Sequence, residues 1–91
     1  MQVVKKISVI GRVQGVFFRH FTRLKAEELG VVGTVLNKDD GSVEIFAKGD
    51  SLQLSLFIQW CHHGSPMSRV DIVRAEEVNE DLDFDSFEII R

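Results

Sequence analysis

The sequence is poor in the features that most often announce a function. Its single cysteine, Cys61, cannot close an internal disulfide. Its single proline and seven scattered glycines exclude a low-complexity or collagen-like chain. There is no excess of basic charge: fourteen acidic side chains against eleven lysines and arginines leave a net charge of −3. That is the wrong sign for a chain that follows a nucleic-acid backbone by displacing counterions. No apolar run approaches the roughly 20 residues that a membrane-spanning helix needs. The opening "MQVVKKISVI" has no apolar core followed by a small-residue cleavage site. Together these absences lead us to expect a protein of the reducing cytoplasm, bound to neither nucleic acid nor membrane.

What is present suffices for one core. With 91 residues, 44% hydrophobic and 27% charged, the chain reads as a single domain over residues 1–91. Ile7, Val9 and Val13 recur with a period of two, predicting a strand over Val3–Val13. Phe18, Phe21, Thr22, Ala26 and Leu29 then share one side of a helix that Gly30 ends. Two strand-like runs, Val31–Lys38 and Ser42–Lys48, flank a Lys-Asp-Asp-Gly turn, with Val43, Ile45 and Ala47 facing inward. Asp50 or Ser51 can cap a second helix carrying Leu54, Phe57, Ile58 and Cys61, which Gly64 and Pro66 close. Val70 with Ile72, and Phe87 with Ile89, predict two further strands, the last one short. The expected class is α+β: a ferredoxin-like split βαβ sandwich in the order βαββαβ, with one antiparallel sheet, both helices on one face and a short C-terminal strand.

That fold serves enzymes, ligand sensors and RNA binders alike, so function must be read from a site. The stretch "GRVQGVFFR" places Gly11 and Gly15 in a loop between a strand and a helix, with Arg19 one turn into the helix. Such a loop can aim several backbone N–H groups at one anion, favoured also by the helix dipole, and Arg19 can add a bidentate contact. A lone G-x-x-x-G also fits a plain tight turn with a solvated arginine. Neither a Walker loop nor G-x-G-x-x-G is present, so no extended nucleotide is implied. In the split βαβ order the first two strands end at the same sheet edge with one strand between them, about 10 Å apart. Asn37, at the end of the second, can orient a water without titrating, or can simply start the hairpin turn.

"GRVQGVFFR" resembles the phosphate-binding signature of the acylphosphatase family through Gly11, Val13, Gln14, Gly15, Val16, Phe18 and Arg19. "LNKDDGSVEIFAKG" resembles the family's second signature through Asn37, Gly41, Val43 and Gly49, and "GSPMSRV" its glycine-proline segment. Thr34 stands where the family usually has an aromatic residue, and Leu36 where it often has a basic or polar one. The resemblance implies hydrolysis of the carboxyl–phosphate anhydride in acyl phosphates. It implies a phosphate-binding loop of Gly11, Arg12, Val13, Gln14, Gly15 and Val16, with Arg19 holding phosphate and Asn37 orienting water. It implies no metal and no cofactor. The expected partners are a small acyl phosphate and inorganic phosphate, as product and inhibitor, with the chain a monomer.

Other residues read as bystanders. His20, His62 and His63 lack ligand spacing, Cys61 lies on an apolar helix stripe, and Asp39 and Asp40 belong to a turn. Phe46 is one outward aromatic without the basic-aromatic cluster of an RNA-stacking sheet. Leu52, Leu56 and Trp60 fit a satellite core or a contact patch, and "EEVNEDLDFD" a solvated connection. A sensor that keeps the anion cradle without turnover stays open beside the enzyme.

Overall fold

The computed structural model describes residues 2–91. Strand β1 (Gln2–Arg12) leads through a loop into helix α1 (Phe18–Leu29). Strands β2 (Val32–Asn37) and β3 (Val43–Asp50) form a hairpin, helix α2 (Ser51–His63) follows, and β4 (Arg69–Glu77) and β5 (Phe87–Ile90) complete the order. All five strands join one sheet, ordered β4-β1-β3-β2-β5. Because β1 and β2 are both antiparallel to β3 between them, they run in the same direction. Val43 stands opposite both Val9 of β1 and Asn37 of β2, so Asn37 is level with Val9, three residues before β1 ends.

The core follows the expected periods. Ile7 and Val9 of β1, Val35 of β2 and Val43, Ile45 and Ala47 of β3 are buried beneath Phe18, Thr22 and Ala26 of α1 and Leu54, Phe57 and Cys61 of α2. The two helices touch each other on one face of the sheet. Gly30, at φ 71, ends α1 in the left-handed conformation, its N–H reaching the carbonyls of Ala26 and Glu27. Trp60 packs against the core, its ring 5.7 Å from that of Phe18, whereas Leu52 and Leu56 are 69% and 42% exposed.

Three details depart from the sequence pattern. The sheet is antiparallel across β4, β1, β3 and β2, but β5 pairs parallel to β2, from Gly33 with Phe87 to Leu36 with Ile90. Alternation marks a strand without giving its direction; the route of the chain does. Strand β4 ends opposite Lys5, near the start of β1, and the connection crosses that end of the sheet to Gly33, at the start of β2. Lys48 holds this connection, donating to the Leu82 carbonyl at 2.9 Å and pairing with Asp81 at 3.3 Å. A second departure is in β4, where Val70 and Val73 pack on the core and Ile72 is turned outward. The register slips between Ile10 and Gly11, skipping Asp71, and one extra residue reverses which side chains face in. Third, Asp50 occupies the N-cap of α2 without a side-chain capping bond. It stands opposite Gln2, whose Nε2 donates to its Oδ1 at 3.5 Å.

Two glycines let strands approach where no side chain fits. At Gly11 (φ 146) an added Cβ would run into the Arg69 carbonyl at the β4 bulge, and at Gly33 (φ 150) into the Phe46 carbonyl. Gly49 has only ordinary contact, with the nearest atom at 3.5 Å. We therefore expect Gly33→Ala to lower stability by more than about 1 kcal/mol and Gly49→Ala to fall well short of that, measured by urea unfolding. Equal midpoints for the two variants would contradict this strand register.

Candidate functional site

The link from β1 to α1 is built by two residues in the left-handed region. Gly15 has φ 74, and Phe17, the N-cap of α1, has φ 60 and ψ 23. Phenylalanine has no side chain able to accept a hydrogen bond, so no side chain caps α1, and its first turn carries no acidic residue. The helix thus presents its positive end and unpaired first-turn N–H groups without an internal counter-charge. Such an end can hold an anion. Phe17 is 71% exposed while Phe18 is 1% exposed, so the chain is pinned by one ring immediately after the strained residue.

Two neighbouring segments hold the loop. Gln14 Nε2 donates to the carbonyl oxygens of Lys38, at 2.7 Å, and Ser42, at 2.9 Å, on either side of the β2–β3 turn. Ser42 also donates through its N–H and Oγ to Asp40 at 2.9 and 2.6 Å, and these bonds, the side-chain one first, lower the Asp40 pKa. On the other side the buried Ser65 Oγ donates to the Val16 carbonyl at 2.9 Å. The three segments singled out in the sequence therefore meet at one place, with Gln14 tying the loop to the hairpin that carries Asn37.

A cavity of about 590 Å³ opens there, a size ordinary for a small-molecule site. Val13, Gly15 and Phe17 line it from the loop; Phe18, Arg19, His20 and Arg23 from α1; and Asn37, Ile89 and Arg91 from the sheet and the chain beyond it. Arg19 Nη1 donates to the Ile90 carbonyl at 3.5 Å. Asn37 Oδ1 and Arg23 Nε are buried without a hydrogen-bond partner. Buried polar atoms are nearly always satisfied, so two orphans in one cavity mark where a polar guest belongs. Three arginines line the space with no acidic side chain, in a chain of net charge −3.

Of the residues predicted from sequence, Val13, Gly15, Arg19 and Asn37 are brought together on the cavity wall. The others support it. Gly11 and Arg12 belong to β1, paired with Val70 and Arg69, Gln14 makes the tie to the hairpin, and Val16 is buried. Arg23, expected from the sequence to matter much less than Arg19, lines the cavity as well, and Arg91 and Ile89 were missed. The spacing of Arg19 and Arg23, one helical turn apart, was a usable signal for the first, whereas the others depend on how β5 pairs.

The bystanders stay apart from the cavity, except His20. Cys61 is wholly buried, and burial pushes its thiol from an ordinary 9.0 up to about 12, far from a nucleophilic thiolate. Among the described residues no group of three His, Cys, Asp or Glu side chains could hold a metal ion. No described helix is long and apolar enough to cross a membrane.

Comparison with known proteins finds relatives over nearly the whole chain. A sequence model of the acylphosphatase family matches residues 5–89. An acylphosphatase of Marinobacter nauticus is 47% identical over 79 residues, 87% of this chain and 86% of that protein. The crystal structure of acylphosphatase from Bacillus subtilis superposes with a TM-score of 0.94 at 37% identity, covering 100% of both chains. That of an acylphosphatase from Coxiella burnetii does so with a TM-score of 0.93 at 36% identity, covering 98% of this chain and 93% of that one.

The double hydrogen bond of Gln14 gives a test of the site's construction. Gln14→Glu replaces a donor by a carboxylate facing two carbonyl oxygens, and Gln14→Ala removes both bonds. We expect stability losses of roughly 1–3 kcal/mol, larger for Glu, with a fall in kcat/KM that exceeds any effect of altering solvent-exposed Gln59. Turnover and melting temperature both equal to wild type in Gln14→Glu would show that the tie is not made.

Proposed function

The chain belongs to the acylphosphatase family, a hydrolase of acyl phosphates, and from that premise we propose how its cavity performs the reaction. The phosphoryl oxygens lie against backbone N–H groups of the loop, which lines the cavity at Val13, Gly15 and Phe17, and of the uncapped first turn of α1. Gly11 seats that loop by letting β1 approach β4 closely. Arg19 grips the phosphoryl group with its planar fork and stabilises the charge that develops on it. Asn37 Oδ1 accepts a hydrogen bond from the attacking water and sets its lone pair toward phosphorus. The observation that carries this reading is the orphaned Asn37 oxygen in the cavity that Arg19 also lines.

The step balances without a protein base. Water oxygen bonds to phosphorus, the bond from phosphorus to the acyl oxygen breaks, and the carboxylate leaves with the electron pair. The water's proton passes to a phosphoryl oxygen beside the attacking water; no Asp or Glu lines the cavity, and His20, which does, is given no part in the step. A carboxylate is already a good leaving group, so positioning and charge stabilisation suffice. We read the enzyme as metal-independent, because guanidinium and amide groups supply the positive charge. We also read it as one domain over residues 1–91, cytoplasmic and monomeric, inhibited by its product phosphate.

The assignments separate kinetically. Arg19→Ala should lose most activity together with phosphate affinity, and Arg19→Lys should recover little of either. Asn37→Ala should keep phosphate affinity while kcat falls roughly 10²-fold. Asn37→Asp keeps an acceptor oxygen but loses the amide donor and sets a negative charge beside the bound phosphate, so it should be nearly inactive though folded. Steady-state kinetics, phosphate inhibition and melting temperature decide; normal turnover in either Asn37 variant removes it from the mechanism. Exhaustive chelation should leave activity intact and phosphate should inhibit competitively. Loss of activity that one divalent ion restores would overturn the metal-free reading.

A further inference from the structure

We infer that Arg23 determines specificity by recognising a second anionic group on the acyl side of the substrate. The inference rests on the reading of Arg19 and the loop as the phosphoryl site. Burial of Phe18, Thr22 and Ala26 fixes the rotation of α1 about its axis, and this brings Arg19 and Arg23, one turn apart, into the same cavity. Arg23 Nε is buried there with no acceptor, and among the described residues Arg23 makes no ion pair. A guanidinium N–H without a protein partner favours an acceptor in its surroundings, and a substrate group that enters the cavity can supply one. No Asp or Glu lines the cavity to supply it.

The charge count points the same way. A phosphoryl group held by Arg19 and the amides of an uncapped helix end is already matched, yet Arg23 and Arg91 also line the space. The cavity, at about 590 Å³, has room beyond a phosphoryl group for an acyl chain. Arg23 lies one turn farther along α1 than Arg19, away from the loop, so an acyl portion that extends along α1 from a phosphoryl group at the helix end meets it. A carboxylate or a second phosphate on that portion satisfies the orphaned Nε; a neutral acyl chain leaves it unpaired. Discrimination of this kind comes from a buried group that only one substrate can satisfy.

Adipoyl monophosphate and hexanoyl phosphate test this, being acyl phosphates of equal carbon number of which only the first ends in a carboxylate. We expect wild type to favour adipoyl monophosphate. Arg23→Gln should lower the ratio of kcat/KM for adipoyl to hexanoyl phosphate roughly tenfold, the loss of one charge-assisted hydrogen bond, through KM of the adipoyl substrate. Arg23→Lys should restore part of the ratio, and it serves as the readout if Arg23→Gln does not fold. A parallel fall for both substrates, or an equal loss of phosphate inhibition, would assign Arg23 to the phosphoryl group or to the fold and overturn the inference. So would an unaltered ratio. Arg19→Ala distinguishes the underlying reading: it should depress both substrates and phosphate inhibition together, and if it does not, the phosphoryl site itself is misplaced.

Discussion

The left-handed conformation of Gly15 and Phe17 is the constraint on which the site depends, because it turns a buried strand directly into a helix with no cap. For glycine this geometry is free, but for phenylalanine it costs roughly 1–2 kcal/mol. Burial of the next ring, Phe18, against Trp60 yields a similar or larger amount, roughly 1.5–3 kcal/mol, so the strain is held in place by packing one residue away. Were Phe17 a serine or aspartate, the side chain could satisfy the helix N–H groups internally. Aspartate would in addition set a negative charge where we propose that the phosphoryl group binds.

Around that turn the remaining structure supplies distance and direction. Strand β3 separates β1 from β2 by two strand spacings, about 10 Å in all, the span that the proposed mechanism assigns to phosphate and an attacking water. Gln14 and Ser65 then lock the loop to the hairpin and to the segment after α2, so Asn37 and the loop cannot drift independently. Parallel pairing of β5 brings Ile89 and Arg91 to the wall and lets the Ile90 carbonyl take a hydrogen bond from Arg19. In this arrangement the catalytic groups are few because the fold has already set their geometry.

Much of this was legible in the residues. The apolar periods of Ile7 and Val9, of Phe18, Thr22 and Ala26, and of Leu54, Phe57 and Cys61 identify the core faces, because burial and periodicity are the same physical fact. The signature stretch located Arg19, and the topology placed Asn37 at its edge. What was hidden depends on partners distant in sequence. The direction of β5 is set by the route of a connection, and the outward turn of Ile72 by a bulge opposite Gly11. The part played by Gln14 needs carbonyls from another turn, and the exposure of Arg23 to the cavity needs the docked rotation of α1. Local pattern carries none of these.

The claim that the uncapped turn and Arg19 hold a phosphoryl group facing Asn37 is tested most directly by titrating the protein with inorganic phosphate and following its 1H–15N NMR spectrum. The account predicts one saturable transition in which the amide signals of Gly15 through His20, the Arg19 guanidinium and the Asn37 side-chain amide move together. Signals from Lys48 and the residues 78–86 connection should stay in place. Saturable shifts confined to those distant residues, or a transition that leaves the Gly15–His20 amides unmoved, would contradict it.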